Sequence, residues 1–231
     1  MRSTLAKVFI AGLVVFGVAI VSRLEATPPG NRSNLDSLDK LDFVNSKPEL
    51  ATYRGRQAVR LLPLTGHLGK DEDVLAVLRG TDFKDGTIEI DVAGKPVEGA
   101  SPTARGFIGL AFRVQPKYEK YECFYIRPTN GRADDQLRRN HSTQYISSPE
   151  WPWYRLRKET PGVYESYADM EPGMWTRLKI VVAGTQAKLY VNGAAQPTLI
   201  VNDLKLGEGH GAIALWSTTE TDAYYSELKI N

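Results

Sequence analysis

The chain sets 29 Lys and Arg against 27 Asp and Glu over 231 residues, with three histidines and a single cysteine, Cys123. This balance excludes a nucleic-acid binder built on a basic stripe. The lone thiol excludes an intrachain disulfide, and scattered histidines without a second cysteine argue against a zinc site.

Residues 1–26 have the layout of a secretory signal peptide. Arg2 and Lys7 precede an uncharged, mostly apolar run over 8–21, and Ser22, Arg23, Glu25 and Ala26 close it. The run is shorter than the roughly 20 apolar residues of a spanning helix. Leu24 stands where cleavage prefers a small residue, so an uncleaved N-terminal anchor is the alternative. The expected location is secreted or periplasmic, with membrane contact only if this segment is retained. Residues 27–40, with Pro28, Pro29 and Gly30, read as a linker. Residues 41–231 read as one domain.

Within that domain, short apolar/polar runs recur at 58–64, 74–78, 87–93, 106–114, 121–127, 175–182, 186–191, 211–217 and 223–230. Gly, Pro, Asn and Asp clusters separate them. No long 3.6-residue period competes. The predicted fold class is all-β, a two-sheet antiparallel β-sandwich of the jelly-roll kind.

Side chains alternate across a strand, so faces can be assigned. Ile88, Ile90 and Val92 share one face, with Glu89 and Asp91 on the other. Ile108, Leu110, Phe112 and Val114 face a core, leaving Gly109, Ala111 and Arg113 outward. Phe124 and Ile126 point in; Tyr121, Cys123, Tyr125 and Arg127 point out. If these three strands share a sheet, its outer face carries Glu89, Asp91, Arg113, Tyr125 and Arg127 over a shallow middle. Residues 129–172 show little alternation, although 144–146 and 154–156 suit short strands. A connection of that length inside a domain is more often functional than idle.

From 174 the sequence runs Met-Trp-Thr-Arg-Leu-Lys-Ile-Val-Val, then Ala187-Lys-Leu-Tyr-Val-Asn-Gly193. Gly211-Ala-Ile-Ala-Leu-Trp216 and Ala223-Tyr-Tyr-Ser-Glu-Leu-Lys-Ile230 follow, and Phe83 to Val92 supplies an early strand. This pattern resembles the concanavalin A-like lectin/glucanase superfamily, notably laminin G-like and 3-keto-disaccharide-hydrolase-type domains. The resemblance implies two curved antiparallel sheets with ligands on the concave face or at one rim. It transfers no activity, because lectins, hydrolases and adhesion modules share the fold.

Two carboxylates on one strand face suit glycoside hydrolysis. The superfamily's glucanases use Glu-x-Asp-x-x-Glu; here Glu89-Ile-Asp91-Val-Ala-Gly94 lacks the second Glu, and a solvated, ion-paired face is the plainer reading. The stretch 127–144 offers planar hydrogen-bonding groups for sugar hydroxyls, with His141 available as acid or base. Asn140-His141-Ser142 is also a glycosylation sequon. Trp151 and Trp153 suit stacking on a pyranose ring, whereas Trp175 and Trp216 sit in strands as core residues. No nucleophile elbow, phosphate loop or dinucleotide fingerprint occurs. No cofactor is expected, although Asp134, Asp135, Asp169 and Asp222 leave room for a structural calcium ion.

The function expected is that of an exported, non-catalytic module that binds carbohydrate outside the cytoplasm. The ligand site would combine Arg113, Tyr125, Arg127, His141, Gln144, Trp151 and Trp153, with Glu89 and Asp91 as counter-charges and the catalytic residues unassigned. A 3-keto-disaccharide-type glycoside hydrolase is the second reading, which a pair such as Asp135 and Glu165 near His141 would support. A structural or adhesion domain is the third.

Overall fold

The computed structural model describes residues 31, 32 and 35–231. The signal-peptide expectation lies outside the described residues, as do residues 27–30, 33 and 34 of the expected linker. Of the rest of that linker, Asn31–Arg32 form a two-residue strand paired with residues 229–230, 35–40 are turn and bend, and Leu35 packs into the core.

Fifteen strands and two short α-helices occur among the described residues. In chain order these are β1 (Asn31–Arg32), β2 (Leu41–Val44), β3 (Ser46–Tyr53), β4 (Arg56–Pro63), β5 (Asp73–Leu78), β6 (Gly86–Pro96), β7 (Ile108–Val114) and β8 (Tyr121–Ile126). Then follow α1 (Gln136–Asn140), β9 (Thr143–Ser148), α2 (Trp153–Glu159), β10 (Glu165–Ser166), β11 (Thr176–Ala183), β12 (Gln186–Val191), β13 (Leu199–Val201), β14 (Ala212–Thr218) and β15 (Thr221–Ile230). One sheet has eight strands in the order β13-β12-β11-β6-β15-β4-β3, with β1 also on β15; the other has seven, β10-β9-β8-β7-β14-β5-β2. All pairings are antiparallel. The fold is the two-sheet antiparallel sandwich that the alternation predicts.

The two inner faces make one core. Ile88, Ile90 and Val92 of β6, with Leu178, Ile180 and Val182 of β11, line one side; Ile108, Leu110 and Phe112 of β7, with Phe124 and Ile126 of β8, line the other. Each such side chain contributes roughly 1.5–3 kcal/mol when fully buried. The sheets approach closely at Gly94, where a Cβ would lie 2.7 Å from Ile108 Cγ2. The β3–β4 hairpin turns through Arg54 (φ 46°) and Gly55 (φ 77°), the paired left-handed residues of a tight two-residue turn.

The outer faces differ. Along β11 burial alternates residue by residue, so the eight-stranded sheet meets water. Every residue of β7 and β8 is buried, so the seven-stranded sheet is covered on both sides along these central strands. Two sequence expectations are corrected here. The strand with Glu89 and Asp91 does not share a sheet with β7 and β8, because the chain crosses between sheets from β6 to β7. Residues 154–156 belong to α2, not to a strand.

Candidate functional site

Register sets one line of side chains across the outer face of the seven-stranded sheet. Glu165 pairs with Gln144, Gln144 with Tyr125, Tyr125 with Gly109, Gly109 with Trp216, and Trp216 with Leu75. Gly109 is required in this line. A Cβ there would lie 2.5 Å from Tyr125 Cα and 2.6 Å from Tyr125 Cβ, and would also strike the Phe124 carbonyl. Without it, the Tyr125 and Trp216 rings stack with centroids 4.7 Å apart. Trp216 Nε1 donates to the Tyr121 hydroxyl (3.2 Å), which in turn donates to Asp73. Burial pushes the Asp73 carboxyl above the usual range, the Tyr121 hydrogen bond opposing it.

Arg127 directly follows β8 and stands at the polar end of this line. Its guanidinium lies 5.0 Å from the Tyr125 ring and 5.7 Å from the Phe107 ring, within cation–π range of both. Nη2 donates to the Tyr125 hydroxyl and to Gln144 Oε1, both at 3.0 Å, and Nη1 donates to the His141 carbonyl at 2.9 Å. Gln144 is held in turn by its Nε2 donating to the carbonyls of Tyr145 and Tyr164. Burial lowers the Arg127 pKa, while Tyr125 and Glu165 pull it back.

Glu165 gathers the remaining partners. Its carboxylate accepts from Arg157 Nε at 3.0 Å, sits 3.0 Å from His141 Nε2 and lies 3.9 Å from Arg127 Nη1. Burial lowers the His141 pKa, against the opposing pull of Glu165, so the ring is held toward its neutral form. The way in from solvent is over these residues. The Arg157 and His141 side chains are 33% and 19% exposed, against 3% for Glu165. Arg157 stacks over Trp153 at 4.8 Å, and Trp153 and Tyr154 are exposed beside it.

The structure therefore brings together Tyr125, Arg127, His141 and Gln144, with Trp153 at the rim. It does not bring in Arg113, Glu89 or Asp91. Arg113 lies at a β-bulge, where β7 shifts register against β14 and takes φ 52°. The bulge turns its side chain into the sandwich end, where it donates to the carbonyls of Lys84, Gly184 and Gly207. Glu89 and Asp91 lie on the outer face of the other sheet. Asp91 is buried there between Arg56 and Arg177, and Arg177 also reaches Glu89. Trp151 is half-buried at the edge, under Arg155 (3.7 Å) and Lys205 (4.7 Å). Trp216 is buried, but on the outer face and not between the sheets; Trp175 is half-buried on the outer face of the eight-stranded sheet, against Tyr53 and Arg56.

Three of the four aspartates that left room for calcium are engaged apart from one another. Asp169 pairs with Arg132, Asp222 with Arg60 and Lys95, and Asp135 caps α1 by accepting from the Arg138 amide. Among the described residues no group of three His, Cys, Asp or Glu side chains is placed to hold a metal ion.

Solved structures carry the same fold. The chain matches the carbohydrate-binding module CBM66 from Bacillus subtilis with a TM-score of 0.56 at 14% identity, over 82% of this chain and 93% of that one. A galectin-like protein of unknown function from Bacillus subtilis matches with a TM-score of 0.56 at 14% identity, over 87% and 94%. The exoplasmic/lumenal domain of VIP36, in its Ca2+/Man3GlcNAc-bound form, matches with a TM-score of 0.51 at 11% identity, over 85% of each chain. The protein has the concanavalin A-like lectin/glucanase fold. No protein-family model and no curated protein matches the chain.

Proposed function

We propose that this protein binds carbohydrate at the β9–β10 end of the outer face of its seven-stranded sheet, outside the cytoplasm. The observation that carries this reading is the Arg127 cluster. A fixed guanidinium, an amide, a carboxylate and an imidazole meet beside exposed aromatic rings. Planar donors and acceptors suit vicinal hydroxyls, and aromatic faces suit the C–H face of a pyranose. Sugar binding by structural neighbours of the same fold supports it.

A second reading, glycoside hydrolysis, draws on His141 Nε2 standing 3.0 Å from Glu165. A two-carboxylate mechanism needs a second acid facing the first, and Asp135 is engaged as the α1 cap. Binding is therefore the better-supported reading.

The test is a glycan-array screen of the folded protein, with product analysis on every hit. Arg157→Ala should weaken binding by roughly 1.5–3 kcal/mol, the usual loss for a charged hydrogen bond. Trp153→Ala should cost about 1 kcal/mol, the low end for aromatic stacking. Lys179→Ala, on the outer face of the other sheet, should leave binding unchanged. A folded protein that retains no glycan, or that loses as much with Lys179→Ala, contradicts the proposal. Cleaved product on a hit favours the hydrolase.

A further inference from the structure

Charge at the Arg127 cluster is unbalanced, and the imbalance bears on what the ligand carries. Two guanidiniums and an imidazole share one carboxylate, Glu165, at 3.0 Å (Arg157), 3.9 Å (Arg127) and 3.0 Å (His141). The Arg127 side chain is only 5% exposed, so water does little to solvate its charge. Two more guanidiniums lie close enough for charge to couple them, Arg105 feeling both Arg138 and Arg127. Arg105 donates only to the carbonyls of Pro102 and Ala104. Arg138 reaches Asn130 Oδ1 at 3.5 Å, and its Nε is buried without a partner. Backbone and side-chain bonds fix their place: the Thr129 amide donates to the Arg105 carbonyl, and Asn130 Nδ2 donates to the same His141 carbonyl that Arg127 holds. Among the described residues no carboxylate forms a salt bridge with Arg105 or Arg138. The one other acid near His141, Asp135, accepts from a backbone amide as the α1 cap.

The outer face of the eight-stranded sheet shows the contrast. There the guanidiniums of Arg56, Arg60 and Arg177 each have a carboxylate within 3.2 Å, from Glu49, Glu89, Asp91 or Asp222, while the exposed ammonium of Lys179 has none among the described residues. Around Arg127, four guanidiniums face two carboxylates. A partly desolvated, under-neutralised guanidinium cluster recognises an anion, since charge-assisted bonds to a carboxylate or sulfate are about twice as strong as neutral ones.

We propose that the site takes an anionic sugar, a glycan whose residue seated against Arg127 and Arg157 carries a carboxylate or sulfate group. This rests on the carbohydrate-binding reading above and names its ligand class.

Calorimetric titration with three kinds of probe tests it: an oligogalacturonate, its carboxyl-reduced neutral counterpart of equal length, and a sulfated oligosaccharide. At least one anionic probe should bind about tenfold or more tightly than the neutral one, a difference of about 1.4 kcal/mol. The uronate and sulfate arms identify which anion is recognised. The preference should narrow as salt rises and the Debye length falls from about 10 Å toward about 3 Å. Arg138→Gln should reduce it several-fold at an unchanged melting temperature, and Arg157→Gln should reduce it several-fold in the folded protein although loss of the pair with buried Glu165 lowers the melting temperature. Equal or tighter binding of the neutral probe overturns this inference and leaves the carbohydrate reading standing. An anionic preference that both variants retain in full overturns it as well, because the charge is then read elsewhere. No binding of any probe, charged or neutral, removes the carbohydrate reading along with it.

Discussion

Gly109 is the residue on which the outer-face aromatic pair depends. Any side chain there meets Tyr125 backbone at 2.5 Å, and backbone does not move aside cheaply. Gly109→Ala should therefore destabilise the fold by about 3 kcal/mol, at the upper end for overpacking, as read by chemical denaturation. Cys123 lies beside Tyr125 on the same face. Burial raises its thiol pKa well above the ordinary value, which keeps it protonated and unreactive. His141 gives the pH dependence. Its folded pKa lies below the ordinary 6.5, chiefly through burial, so between the two values the unfolded chain binds more protons. Its contribution to stability is present above pH 6.5 and is lost as pH falls through the folded pKa. Melting curves taken across that window should show the wild type losing stability toward acid faster than His141→Gln. Identical acid slopes would mean that the ring is not held neutral.

At the level of strands and loops, what the sequence made legible stopped where local geometry departs from alternation. Runs such as 186–191 coincide with β12, and the inward and outward residues of β8 follow the two-residue period. Arg113 broke the pattern because a bulge adds one residue to β7, and nothing in the composition of 106–114 marks it. Its real role is to tie three connections together through the carbonyls of Lys84, Gly184 and Gly207. Arg113→Ala should accordingly cost on the order of 3 kcal/mol of stability while leaving glycan affinity unchanged, the opposite of what a ligand residue would show. Trp216 was legible as buried but not as part of the outer face, since a strand buried on both sides reads as continuously apolar. Glu165 and Arg157 gave weaker signals still. They lie in 129–172, where two short helices and a two-residue strand carry no period to follow, and only register with Gln144 brings Glu165 to the site.

For the whole molecule, the chain's repeated crossing between sheets explains both the shared core and the division of labour between outer faces. Consecutive strands β4, β5, β6 and β7, and again β13, β14 and β15, alternate sheets, so neither sheet is complete without the other. Unfolding should be a single cooperative transition, with fluorescence and circular dichroism midpoints coinciding. One outer face carries a charge-balanced network around Asp91 and Asp222, and the other carries the Arg127 cluster with its excess of cations. Ligand should meet the second of these. The four tryptophans are well placed to decide it: Trp153 at the rim of the cluster, Trp151 at the adjoining edge, Trp216 in the line itself, and Trp175 on the opposite outer face. Indole N–H resonances followed during titration with a bound glycan should show Trp153 moving with ligand while Trp175 stays fixed. A shift confined to Trp175, with Trp153 unmoved at saturation, would contradict the account.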